Sequence, residues 1–347
     1  MNYPLRFVQV LRGFAAIAVL LYHTGVYAGI YFNNPIYFFE NGNLGVDFFF
    51  TLSGFIITYI HLKDIKARGS IKIFLVKRFV RIFPFYWMIL LVVIALDPSL
   101  FPGWQLFFVN LLLFRLPMSE MPLKIAWSLT FEIVFYILFA LAIAAGWKIA
   151  RVMLAAWFLL IVFAPTFHNG LLQVLASNMN IEFLFGCLAG YIFVENKMKL
   201  KLSLFFTGLL LIAIIFIGFI GWQGFDRFNI YMTTLMGASS GWIMLHAALL
   251  DKEQRYQALA LPVLVLAGNA SYAIYLTHTI YMPYIFKACN YLINIPGLSF
   301  ALLMLIIILI ILLSITVGIL IHLIIEKPML LFLRRRIHQF SKGANRS

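Results

Sequence analysis

Charged residues are scarce in this chain of 347 residues. They make up 11% of it, whereas about 25% is usual in a soluble domain. Acidic residues are scarcer still, with 12 Asp and Glu against 26 Lys and Arg, and there are only two cysteines. These shortages exclude a soluble domain, a disordered chain and a disulfide scaffold. Apolar residues are abundant instead, at 64%, so the chain is predicted to lie in a lipid bilayer.

Long apolar stretches recur along the sequence, and a membrane helix needs about 20 mostly apolar residues. Eleven stretches come into consideration, at residues 8–27, 44–62, 82–97, 101–116, 127–146, 149–165, 171–194, 203–222, 228–249, 261–287 and 298–325. The fourth stretch is short and lies between Pro102 and Pro117. We interpret residues 97–124 as a re-entrant or surface element on the outer side, which leaves ten spans.

Basic residues orient these spans, because loops rich in Lys and Arg face the cytoplasm. Such clusters occur at residues 61–81, at 197–201 and in the C-terminal tail. An even number of spans must separate the first cluster from the tail, and ten spans in total satisfy this. The predicted fold class is all-α, a polytopic membrane bundle of about ten transmembrane helices with both termini cytoplasmic. Residues 1–328 form the membrane-embedded domain, and 329–347 form a basic cytoplasmic tail.

Ionisable residues within the first two spans are candidates for function, since charge at membrane depth is costly. Arg12 and His23 are eleven residues apart, which places them on one helix face, about 16 Å apart along the axis. Arg12 either snorkels to the interface or belongs to a site. His23 is either a structural histidine or a base. Asp47 either faces the helix dipole or pairs with His23 and fixes its tautomer.

Two arginines crowd the inner end of the third span. Arg78 and Arg81 are three residues apart and therefore share a helix face. They either anchor the helix on anionic lipid or clamp phosphate groups.

Polar residues also interrupt two later apolar helices. Glu132, in the run AWSLTFEIVFY, is either a satisfied structural carboxylate or part of a site. Ser271, Tyr275 and His278 form a polar stripe at helical spacing, which either lines a cavity or joins helices through hydrogen bonds.

Six segments, taken in chain order, resemble the motifs of the acyltransferase-3 family of integral membrane acyltransferases. They read LRGFAAIAVLLYH, NLGVDFFFTLSGFIIT, KRFVRIFPFYW, WSLTFEIVFY, NASYAIYLTH and IEKP, and they extend from about Leu5 to Pro328. Members of this family move acyl groups, mostly acetyl, from cytoplasmic acyl-CoA to hydroxyls of envelope or secreted carbohydrates such as O-antigen, exopolysaccharide or peptidoglycan. Some members carry an additional hydrolase-like domain, and a stand-alone member is expected here.

The resemblance also implies roles for individual residues. His23 is the essential histidine, and Arg12 belongs to the same first-helix motif. Arg78 and Arg81 are the basic pair at the donor entrance. Glu132 occupies the Trp-Ser-Leu-x-x-Glu position of the family.

The predicted function is transfer of an acyl group, expected to be acetyl, from acyl-CoA to a carbohydrate hydroxyl at a bacterial-type cytoplasmic (inner) membrane. His23, oriented by Asp47, is the expected general base, and Glu132 orients a partner or the sugar. A cation or the hydroxyl of Ser271 or Tyr275 stabilises the charge that develops on the thioester oxygen. The expected partners are acyl-CoA, a glycan acceptor and membrane lipid, without nucleic acid, metal or a tightly bound cofactor. The alternative function is a proton-coupled exporter or a flippase of a lipid-linked sugar or small molecule.

Overall fold

The computed structural model describes residues 5–33, 36–67, 70–114, 120–163, 170–195, 207–208, 229–253, 261–293 and 300–344. Its regular elements in these ranges are all helices. The α-helices are α1 (Arg6–Phe32), α2 (Leu44–Ala67), α3 (Ile71–Leu96), α4 (Trp104–Leu111), α5 (Trp127–Ala145), α6 (Trp147–Phe163), α7 (Gly170–Leu175), α8 (Asn180–Val194), α9 (Ile230–Lys252), α10 (Pro262–Asn269), α11 (Ser271–Ile293), α12 (Phe300–Ile321) and α13 (Lys327–Ala344). A π-helical turn, His322–Glu326, joins α12 to α13.

Five segments of the described chain are long and apolar enough to cross a membrane. They are Arg6–Phe32, Phe39–Ala67, Ile71–Leu96, Lys124–Ala145 and Ala301–Ile337. A sixth results if α10 and α11, which are bent by 69° relative to each other, form one broken span. The predicted all-helical membrane fold is confirmed at this level. The count of ten spans and the cytoplasmic termini stay predictions, and the stretch 203–222 lies almost wholly outside the described residues.

The short helix α4 lies in the proline-bracketed stretch. Its eight residues extend about 12 Å at 1.5 Å per residue, which is less than half of a bilayer core of about 30 Å. Two side chains of α3 hold its end, because Tyr86 donates to the carbonyl of Asn110 and Trp87 to that of Leu111, each at 2.8 Å. By length, α4 does not cross the membrane.

The span predicted over 171–194 is wrong as a single helix, because two helices, α7 and α8, occupy it. The side-chain amide of Asn180 donates to the carbonyls of Val174 at 2.5 Å and Leu175 at 3.2 Å. These carbonyls end α7 and have no partner further along that helix. A buried asparagine thus stabilises the break that an apolar pattern alone does not reveal.

The crossing of α2 and α8 is formed by glycines. A Cβ atom on Gly54 would lie 2.2 Å from the carbonyl oxygen of Phe183, and one on Gly186 would lie 2.0 Å from that of Thr51. The two backbones are therefore in direct contact, as small residues permit between membrane helices. Phe183 stacks on Phe50 at 4.7 Å beside this crossing. The contact fixes the position of α2.

A larger side chain at this helix crossing is expected to destabilise the bundle. Gly186→Val places a branched side chain against backbone that cannot yield, and overpacking of this kind costs about 1–3 kcal/mol or more. Thermal unfolding in detergent measures the loss. Leu188→Val is the matched control, because it creates the same residue on the same helix at a position that is 52% exposed. Equal unfolding temperatures for the two variants would contradict the close contact.

Candidate active site

Three cavities follow one another through the bundle. The first, about 580 Å³, is called here the His23 cavity, and Tyr27, Lys124 and Trp127 also line it. The second, about 540 Å³, is the arginine cavity, lined by cations of three helices: Arg12, Arg78, Arg81, Lys327 and Arg334. A connecting cavity of about 70 Å³ lies between them.

Shared side chains establish the order of these cavities. Val46 lines both the His23 cavity and the connecting cavity. Arg12, Ser53 and Glu132 line both the connecting cavity and the arginine cavity. Arg12 and His23, predicted to share a face of α1, therefore belong to opposite ends of one series of cavities.

The position of His23 is fixed by a second histidine. His23 Nδ1 lies 3.0 Å from the carbonyl oxygen of Val19 and 3.1 Å from His278 Nε2. His278 Nδ1 lies 3.0 Å from the carbonyl oxygen of Ile274. A carbonyl only accepts, so neutral His278 carries its proton on Nδ1 and presents the Nε2 lone pair to His23. His23 must then donate through Nδ1, which leaves its Nε2 as the acceptor that a general base requires.

Asp47 lies in the first turn of α2 and is 2% exposed. This position is favourable for a carboxylate, because the N–H groups of a helix N-terminus carry partial positive charge. Its pairing with His23 stays a prediction. His278, predicted only as cavity lining, is the partner whose contact with His23 is described.

Arg81 is bound to a carboxylate that has no exposed surface. Its Nη1 donates to Glu326 Oε1 at 2.7 Å, and the other oxygen of Glu326 lies 2.7 Å from His322 Nδ1. The guanidinium also lies over the ring of Tyr272, 5.2 Å from its centroid. Much of the charge of Arg81 is therefore matched within the protein.

Arg78 has a different environment although it lies on the same helix face. Its guanidinium lies between two aromatic rings, 5.7 Å from the centroid of Phe74 and 5.8 Å from that of Tyr136. Its Nη2 is 3.4 Å from the ring nitrogen Nε2 of His61. Among the described residues no carboxylate pairs with it. Of the two predicted arginines, Arg81 is therefore paired with a carboxylate, and Arg78 is not paired with one in the described part of the chain.

Arg12 and Glu132 both line the arginine cavity and the connecting cavity. Glu132 accepts hydrogen bonds from Ser53 Oγ at 3.1 Å and from the hydroxyl of Tyr136. The buried Nε of Arg12 has no hydrogen-bond partner in the described part of the chain. Arg12 can therefore donate to a molecule in this passage.

The polar stripe of α11 both lines a cavity and joins helices. Tyr275 donates to the carbonyl of Ile125 at 2.9 Å and lies 2.7 Å from Ser128 Oγ. Ser271 and Tyr275 line the connecting cavity, while His278 contacts His23. Ser271 Oγ is buried without a hydrogen-bond partner in the described ranges, so its hydroxyl is available within the passage.

Comparison with known proteins assigns the chain to a family. Residues 5–323 match the family model described as an acyltransferase domain. The chain belongs to the acyltransferase-3 family. It is thus an acyltransferase, as the six motifs indicate. No solved structure matches the chain.

Two curated proteins are similar to this acyltransferase. The exopolysaccharide production protein ExoZ of Rhizobium meliloti is 28% identical over 311 residues, which cover 84% of this chain and 90% of ExoZ. The peptidoglycan O-acetyltransferase OatA of Listeria monocytogenes is 25% identical over 308 residues, which cover 77% of this chain and 48% of OatA.

Several residues in and beside the arginine cavity are not among the site residues that the sequence predicts. They are His61, His322, Glu326, Lys327 and Arg334. For Glu326 and Lys327 a signal was present, because both belong to the IEKP motif. In the described residues no three His, Cys, Asp or Glu side chains are grouped as metal ligands.

Loss of the buried carboxylate is expected to destabilise the acyltransferase. Glu326→Ala leaves Arg81, whose side chain is 20% exposed, without its counter-charge, at a cost of up to about 3 kcal/mol. Lys66→Ala is the control, because the Lys66–Glu195 pair is exposed and should contribute less than about 1 kcal/mol. Thermal unfolding in detergent compares them. If the control lost more stability than Glu326→Ala, the role given to Glu326 would be wrong.

Proposed function

We propose that this acyltransferase transfers an acyl group, in the first instance acetyl, from cytoplasmic acyl-CoA to a hydroxyl of an exopolysaccharide or another envelope glycan. The observation that carries the proposal is the series of neighbouring cavities, with shared lining side chains, between a cation-lined chamber and His23. The names of ExoZ and OatA support a polysaccharide as the acceptor.

The arginine cavity is the proposed donor site, and it opens to the cytoplasm in the proposed topology of ten spans with both termini inside. Acyl-CoA carries several phosphate groups, which guanidinium groups bind through charge-assisted, bidentate hydrogen bonds. Arg78 is the principal ligand because its charge is not matched by a carboxylate. Lys327 and Arg334 of α13 line the same cavity and add to the attraction.

The thin pantetheine arm of the donor extends through the connecting cavity in this proposal. The Nε–H of Arg12 donates to a carbonyl of the arm, and the carboxylate of Glu132 adds a polar group to the lining of the passage. Ser271 supplies a hydroxyl beside the passage. These groups bring the thioester carbonyl toward the His23 cavity, where donors stabilise the negative charge that develops on its oxygen.

His23 is the proposed general base for the acceptor. Its Nε2 takes the proton of the sugar hydroxyl while the oxygen attacks the thioester carbonyl carbon, and collapse of the tetrahedral species breaks the carbon–sulfur bond. The coenzyme thiolate leaves and receives the proton from His23. His278 holds the required tautomer through the Nδ1 contact, and the negative charge of Asp47, which follows the cavity-lining Val46 in α2, is proposed to stabilise the imidazolium that forms.

The proposal separates donor binding from chemistry, and two variants test this. His23→Ala is expected to abolish acetyl transfer while CoA still binds, because the base lies outside the donor cavity. Arg78→Ala is expected to weaken CoA binding about tenfold or more, as loss of a charged hydrogen-bond donor does. Binding is measured on purified protein, and transfer is measured by mass spectrometry of exported glycans.

Three outcomes have distinct meanings. Normal glycan acetylation with His23→Ala would exclude His23 as the base. A wild-type protein that does not bind CoA would overturn the donor proposal. If loss of the protein stopped export of a glycan without changing its acetylation, the alternative function, an exporter or flippase, would be favoured.

The connecting cavity is expected to be the path of the acyl group. Val46→Trp fills the space between the connecting cavity and the His23 cavity, so transfer should fall at least about tenfold, as misplacement of reacting groups does, while CoA affinity is unchanged. Val46→Ala, which widens the same point, is the control and should retain transfer. Retained CoA binding shows that the tryptophan variant is folded. Undiminished transfer by that variant would place the path elsewhere.

A further inference from the structure

A buried histidine outside the predicted site is in contact with Arg78. His61 lies near the end of α2 and is 3% exposed, and its ring is perpendicular to that of Phe74, with centroids 4.9 Å apart. Its Nε2 is 3.4 Å from Arg78 Nη2, and its Nδ1 is 2.6 Å from Asp64 Oδ2. The three residues form a chain from carboxylate through imidazole to guanidinium.

The partners determine where the proton of His61 lies. A guanidinium has only donors, so Nε2 of His61 must accept from Arg78. The proton is therefore on Nδ1, where the carboxylate of Asp64 accepts it. Carboxylates fix the tautomer of metal-binding histidines in this same way. Here the Nε2 lone pair accepts a hydrogen bond from the guanidinium of Arg78 instead of binding a metal ion.

The two arginines of α3 are thus oriented by chemically different acceptors. The acceptor of Arg81 is the anionic carboxylate of Glu326, at 2.7 Å. The acceptor of Arg78 is a neutral ring, and the nearest carboxylate in that chain, Asp64, lies on the far side of the imidazole. A neutral acceptor orients a guanidinium without cancelling its charge.

We propose that His61 is a positioning residue that holds Arg78 toward the phosphates of the donor as a neutral acceptor and so preserves its full positive charge. The inference rests on the proposed donor site, since it needs an anionic ligand in the arginine cavity. His61 does not touch the donor. Asp64 acts one step further out, by keeping the imidazole in the accepting tautomer.

Three substitutions at His61 separate this role from simple packing. His61→Gln keeps a neutral acceptor and should bind CoA within about twofold of wild type. His61→Leu keeps the volume but removes the acceptor, and it should weaken binding about fivefold to tenfold. His61→Glu supplies a charged acceptor and should weaken binding as much as Arg78→Ala. His246→Leu, which removes another buried imidazole, is the control and should bind CoA normally.

The measurement is the dissociation constant of CoA on the purified full chain, together with KM for acetyl-CoA and kcat. The Leu and Glu variants should raise KM and leave kcat at saturating donor unchanged, because His23 is not affected. Equal affinities for the Gln and Leu variants, or wild-type affinity for the Glu variant, would overturn the inference and leave the donor site standing. A wild-type protein without affinity for CoA would overturn both.

Discussion

The carboxylate of Glu326 has no exposed surface, and the architecture of the arginine cavity depends on how its charge is satisfied. An isolated carboxylate would be very costly at that depth. Arg81 and His322 bind its two oxygens, each at 2.7 Å. The first contact joins α3 to the π-helical turn, and the second lies within that turn, between residues four apart. Because α13 follows the turn directly, the contact of Arg81 with Glu326 also places Lys327 and Arg334 on the cavity wall. Satisfying one buried charge thus assembles cations from three helices around one space.

Local features of the site were predictable, because they depend on helical periodicity. Arg12 and His23 were expected on one face of α1 from their spacing alone, and they line successive cavities in the structure. The spacing of Ser271, Tyr275 and His278 predicts one polar stripe; in the structure Ser271 and Tyr275 line the connecting cavity, and His278 contacts His23. The partners of these residues were not predictable, since His278 is 255 residues from His23 and Glu326 is 245 residues from Arg81. Periodicity shows which face a side chain occupies, and only the packing of distant helices decides what that face meets.

The same distinction explains why the continuous helix predicted over 171–194 is wrong. A run of apolar residues over 171–194 predicts a continuous helix, because hydropathy measures only transfer into lipid. The break between α7 and α8 arises from specific hydrogen bonds of Asn180 to two carbonyls, and a single asparagine in an apolar run also occurs in unbroken helices. The contact of Gly54 and Gly186 was likewise visible as two glycines, but their mutual proximity follows from tertiary structure.

At both ends of the cavity series, a neutral imidazole contacts the group to which the proposed mechanism gives a role. His278 holds His23 at one end, and His61 holds Arg78 at the other. A carboxylate in either place would bind more strongly, but it would also alter the partner: it would offset the charge of Arg78 and would favour the protonated form of His23. His23 must be neutral to act as the proposed base, and Arg78 must be cationic to bind the phosphates of the proposed donor. Neutral acceptors meet both requirements inside a bilayer, where charge interactions are weakly screened, whereas a carboxylate is suited to Arg81, whose charge serves to balance Glu326.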